Sequence, residues 1–104
     1  MLTKHQIQDY NNNGFIVIED LLSKNEIKQT RDIINQFIEN SREIKESNNI
    51  FDLEDDHSKN NPRLTRVKQP HLINDHFFNL IKNSQITKAL KDLLGNNILL
   101  KSSK

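Results

Sequence analysis

From residue 24 to about residue 46 the apolar side chains Ile27, Ile33, Ile34, Phe37, Ile38 and Ile44 recur at three-and-four spacing, with Thr30 and Ser41 on the same stripe. This periodicity predicts one long amphipathic helix. Ser23 followed three residues later by Glu26 is a capping box at its start, and Leu21 or Leu22 can act as the hydrophobic staple. Thr3 and Gln6 repeat the motif for a shorter first helix, with Ile7 and Tyr10 on one face and Asn11-Asn12-Asn13-Gly14 as a left-handed stop. Between the two helices Phe15-Ile16-Val17-Ile18 is apolar at every position and is ended by Glu19-Asp20. Such a run predicts a strand buried on both faces.

The pattern lapses over residues 47–62, rich in Ser, Asn, Asp and Lys around an apolar island at Ile50, Phe51 and Leu53, and this stretch is expected to be a long loop. Residues 63–69, bracketed by Pro62 and Pro70, alternate imperfectly and suit a short edge strand or an extended segment. Two short helices are predicted at 75–82, carrying Phe77, Phe78, Leu80 and Ile81, and at 84–94, carrying Ile86, Ala89, Leu90, Leu93 and Leu94, with Gly95 closing the second. Ile98-Leu99-Leu100 then starts a strand whose backbone groups need a partner. The expected fold is α+β and mainly helical, with the long helix and the two short ones packed around strands 15–18 and 98–100. An unpaired final strand leads us to expect the front part of a larger protein, a single partial domain over residues 1–104.

Composition narrows the classes. Leu, Ile, Val and Phe supply 32 of 104 residues, above the share of about 20% below which disorder is the default. Fifteen basic and fourteen acidic residues leave a net charge of +1, so no broad field gathers nucleic acid or an anionic membrane. No run reaches signal-peptide or membrane-span length, and a cytoplasmic protein is expected. The absence of cysteine removes disulfides, thiolate metal sites and thiol nucleophiles.

Candidate chemistry is sparse. A facial iron site wants a His and a carboxylate two residues apart on a strand, plus a distant His. Two positions after His5, His57, His71 and His76 stand Ile7, Lys59, Ile73 and Phe78. Asp55-Asp56-His57 gathers carboxylates and an imidazole on the expected loop, where a solvated acidic loop outweighs a metal site. His71 and His76 fit no zinc spacing and are expected at the surface or at helix caps. With two glycines the chain carries neither a phosphate loop nor a nucleophile elbow, and no serine has an assignable base. No catalytic residue and no metal ligand is therefore assigned. Arg63, Arg66 and Lys68 form a compact basic group, which as a bare pattern reads as a solvated strand edge before it reads as a carboxylate site.

Taken in order, Leu2-Thr3-Lys4-His5-Gln6-Ile7-Gln8-Asp9-Tyr10, Gly14 to Ser23, the helix opening at Glu26-Ile27, Leu64-Thr65-Arg66-Val67, and Leu90 to Gly95 leading into Ile98-Leu99-Leu100 resemble the N-terminal region of the phytanoyl-CoA dioxygenase family. These are Fe(II), 2-oxoglutarate-dependent oxygenases. The resemblance implies the outer helices and first strands of a double-stranded β-helix, or jelly roll, cut before its core. It further implies Fe(II) and 2-oxoglutarate as cofactors and a hydroxylated small-molecule substrate for the complete enzyme. The family's His-x-Asp pair, its later His and its main 2-oxoglutarate Arg have no counterpart here, so the chain alone is expected to be inactive and to bind neither cofactor well. The resemblance carries over Arg66 and Lys104 as cofactor-binding positions. The other readings are a small interaction module that pairs through strand 98–100 and a free-standing helical structural protein. For the fragment, loss of the jelly-roll face is expected to leave apolar surface exposed, with poor solubility or self-association.

Overall fold

Both capping boxes form. In the computed structural model, which describes residues 1–104 apart from the side chain of Ser84, Thr3 Oγ1 accepts from the Gln6 N–H at 3.1 Å while Gln6 Oε1 accepts from the Thr3 N–H at 2.9 Å. They open α1 (Lys4–Asn13), which Gly14 ends in the left-handed region at φ 80°, its N–H donating to the Tyr10 carbonyl. Ser23 and Glu26 open α2 (Lys24–Ser41) in the same way. This helix stops short of the expected residue 46. Ser41 turns its hydroxyl back to the Ile38 carbonyl at 2.6 Å, and its own carbonyl accepts from the Ile44 N–H and from His57, so the ladder does not continue.

The expected 47–62 loop contains a strand. β1 (Phe51–Leu53) pairs antiparallel with β2 (Leu64–Val67) in the register Phe51 to Val67, Asp52 to Arg66 and Leu53 to Leu64, with a bulge after Asp52. Asn48 nucleates β1 by accepting both the Ile50 and Phe51 N–H groups at 2.8 Å. After it come α3 (Pro70–Ile73), with Pro at its first position, then α4 (Asp75–Ile81) and α5 (Ser84–Leu94). The architecture is helical with one two-stranded sheet.

Residues 15–18 and 98–100 are not strands, and this corrects the expectation drawn from their composition. An apolar, β-branched run favours extended backbone, but a strand exists only where a second segment supplies its hydrogen bonds, and neither run has one among the described residues. Nor is the first run buried on both faces: Phe15 is 67% and Val17 75% exposed, while Ile16 and Ile18 turn inward.

Phe37 is the centre of the small core, between the Phe51 ring at 6.1 Å edge-on and the Phe77 ring at 6.0 Å stacked, and so joins α2, β1 and α4. A radius of gyration of 17.0 Å, against about 13 Å for a compact chain of this length, marks an elongated molecule. A polar tie holds the other end. Asn83 caps α5 by accepting from the Gln85 and Ile86 N–H groups, and its amide donates to Glu26, so one carboxylate joins the starts of α2 and α5. No helix among the described residues is long and apolar enough to cross a membrane.

Glu26 is held below the ordinary glutamate value, chiefly by the Ser23 backbone N–H and then by the Ser23 hydroxyl; burial opposes them, and the Asn83 amide and the charge of His76 add smaller lowering effects. A carboxylate lowered in the folded state stabilises it above the unfolded value, and the contribution is lost as pH falls through the folded value. Glu26→Gln, which keeps a capping oxygen, is expected to flatten the acid limb of a urea-midpoint-against-pH curve. An unchanged acid limb would show that Glu26 does not set it.

Candidate anion-binding cavity

β2 carries Arg66 opposite Asp52, and the pairing uses the guanidinium Nε, 3.6 Å from Asp52 Oδ2. The other Asp52 oxygen is 2.9 Å from Lys68 Nζ, which also donates to the Asn48 carbonyl at 2.8 Å. Asp52 is thus shared, its shorter contact going to Lys68. The terminal nitrogens of Arg66 make no protein hydrogen bond among the described residues, so the face of the guanidinium that best matches a carboxylate is available. Arg63, the third member of the basic group, turns away to Asp56 at 3.5 Å.

Beside Arg66 lies an open cavity of about 280 Å³, walled by Ile34, Phe37 and Ile38 of α2, by Leu64 and Val67 of β2, and by Pro70 and Phe77. Lys104 lines the same cavity, brought there by the last residues of the chain. The two positions singled out in the sequence therefore meet across one apolar hollow. A roomier cleft of about 550 Å³ runs past Glu19, Asp20 and Glu26, and these carboxylates make it unsuited to an anion.

The histidines serve the scaffold. His57 Nδ1 accepts from the Arg63 N–H at 2.8 Å, which leaves the ring proton on Nε2, 2.9 Å from the Ser41 carbonyl. Instead of standing free in solvent, His57 is half-buried and staples the loop to the end of α2. His76 Nε2 lies 2.8 Å from Thr30 Oγ1, whose hydroxyl already donates to the Glu26 carbonyl, so the imidazole is the donor. His71 Nδ1 meets Ser103 Oγ at 2.6 Å, and His5 lies exposed beside Asp9. Among the described residues no three His, Asp or Glu side chains gather to hold a metal ion.

Asp52, Gln69, His71 and Ser103 escaped the sequence reading as contributors to this region. Only the Phe51-Asp52-Leu53 alternation hinted that Asp52 lies on a strand; Ser103 carried no signal, because its partners lie more than thirty residues away.

No protein-family model matches the chain. It is similar to a curated protein of Stutzerimonas stutzeri named as a probable alpha-ketoglutarate-dependent hypophosphite dioxygenase, with 27% identity over 99 residues, 95% of this chain and 35% of that protein. The chain spans about a third of that relative's length. No solved structure matches. The chain is thus a distant relative of an alpha-ketoglutarate-dependent dioxygenase.

Proposed function

We propose that these residues form the helical N-terminal part of an oxygenase of the phytanoyl-CoA dioxygenase type, which in its complete form uses Fe(II) and 2-oxoglutarate to hydroxylate a small organic substrate. In this reading Arg66 takes one carboxylate of 2-oxoglutarate in the cavity between α2 and β2, and Lys104 lies on the side of the other. The observation that carries it is that both residues line one hollow with apolar walls. A planar guanidinium with free terminal nitrogens accepts a carboxylate in two parallel hydrogen bonds, and a hollow of about 280 Å³ suits a ligand smaller than a drug-sized molecule.

The donor set does not fit Fe(II). Both nitrogens of His57 are engaged within the protein, and His71 and His76 are spent on hydroxyl partners. Iron in the complete enzyme would be held by residues beyond these 104, and this chain by itself would be inactive.

Calorimetric titration of 2-oxoglutarate into the chain, without iron, is the test. Losing a charge-assisted contact costs about 1.5–3 kcal/mol, so Arg66→Ala is expected to weaken binding by about tenfold or more. Equal binding by the variant and the original chain would sink the assignment. Tight Fe(II) binding under anaerobic conditions would instead make the Asp55, Asp56, His57 loop a metal site.

A second reading, an interaction module pairing through residues 98–100, draws on one observation: Leu99 is 98% exposed, and residues 98–100 have no backbone partner among the described residues. Under it Leu99→Lys would abolish concentration-dependent association in sedimentation, and Arg66→Ala would not.

A further inference from the structure

The last residues of the chain are tied down at one point. Ser103 accepts at its carbonyl from the Gln69 N–H at 3.1 Å, donates its own N–H to Gln69 Oε1 at 3.2 Å, and meets His71 Nδ1 with its hydroxyl at 2.6 Å. Three hydrogen bonds thus converge on one serine from two residues at the junction of β2 and α3. Gln69 makes its two from a left-handed conformation, φ 49° and ψ 54°, which is uncommon for a residue with a side chain and persists where surrounding contacts over-determine it. The preceding residues have no such anchor: Leu99 is almost wholly exposed, and Lys101 and Ser102 are exposed too. Lys104 follows the clamp directly and lines the cavity beside Arg66.

We infer that Ser103, gripped by Gln69 and His71, is the positioning residue that sets Lys104 against the Arg66 cavity, so that two cations meet a dicarboxylate. The inference rests on the proposed 2-oxoglutarate reading. Its physical basis is that an exposed lysine on an untethered segment spreads its charge over many positions, and fixing the adjacent residue removes the backbone part of that freedom before the ligand arrives. Gln69 and His71 are therefore part of the site although neither lines the cavity.

The test is a double-mutant cycle read by NMR titration with 2-oxoglutarate and with the monocarboxylate 2-oxobutanoate. The 104-residue chain is amidated at its C-terminus, so that no terminal carboxylate offsets the Lys104 ammonium. Arg66→Ala is run alongside, and thermal melts confirm that each variant is folded. Lys104→Ala is expected to weaken 2-oxoglutarate binding by about threefold to fivefold, the modest effect of an exposed charge, and Ser103→Ala, which loses the His71 contact but keeps both bonds to Gln69, by about twofold. Both are expected to reduce the preference for the dicarboxylate, Lys104→Ala by more. Ser103→Ala should cost nothing further in the Lys104→Ala background, because its effect runs through that lysine. Ser103→Thr, which keeps the hydroxyl, should bind as the original chain does by the same coupling. If Arg66→Ala weakens binding while Ser103→Ala either leaves it unchanged or loses further affinity without Lys104, the positioning role is overturned and the cavity assignment stands. If Arg66→Ala binds as the original chain does, the cavity assignment falls and takes the positioning role with it.

Discussion

Phe37→Ala is expected to destabilise the chain by about 3–5 kcal/mol, the usual cost of removing a buried phenylalanine, and so to abolish its cooperative melting transition. Phe37 is only 8% exposed and touches two other aromatic rings on two different elements. Apart from it and Pro70, Phe51 at 6% and Ala89 at 7% exposed are the buried apolar residues among those described, so no second cluster can compensate when the first is hollowed out. Total stabilities of small domains are about 5–15 kcal/mol, and an elongated molecule with this little core belongs at the lower end. Circular dichroism during a urea titration provides the check. A Phe37→Leu variant separates loss of volume from loss of aromatic geometry, and its expected cost is less than half that of alanine, since most of the volume is retained. A cooperative Phe37→Ala transition within about 1 kcal/mol of the original chain would mean that the three-ring contact does not hold α2, β1 and α4 together.

His57→Ala is expected to cost about 1–2 kcal/mol, from two hydrogen bonds at one side chain. The figure is bounded because the Ser41 carbonyl keeps its bond to the Ile44 N–H and the Arg63 N–H can turn to water. The local consequence is larger than the global one. His57 joins the connection between the two strands to the end of α2, so its loss should free residues 54–63, with faster amide exchange at Arg63 and early proteolysis in that stretch. Unchanged stability together with lost metal binding would show instead that the ring serves an ion.

The helices were legible at short range. Thr3 with Gln6, Ser23 with Glu26, Gly14, and the three-and-four rhythm from Ile27 to Phe37 each act within one or two turns, and each produced the element expected of it. The edge strand at 64–67 and the two short helices at 75–81 and 84–94 followed from the same kind of local signal. Failures came mostly where a partner distant in sequence was needed; the exception is α3, a single local turn at Pro70–Ile73 that the reading of Pro70 as a bracket passed over. Residues 15–18 carry a stronger strand signal than Phe51-Asp52-Leu53, yet the weaker segment became the strand, because β2 and Asn48 lie within its reach. α2 ended early for a similar reason, its last carbonyl having been claimed by His57.

The candidate site divides along the same line. Arg66 and Lys104 were named from the order of motifs, but their meeting at one cavity, the sharing of Asp52 with Lys68, and the grip of Gln69 and His71 on Ser103 depend on packing. Capping, helical rhythm and turn chemistry are short-range interactions, and the order of residues settles them before the chain has a shape. Strand pairing, burial of an apolar run and convergence of two cations require chain segments to be brought together against their conformational entropy. Long-range packing therefore decided which extended runs became a sheet, which remained exposed, and where the charges of this chain meet.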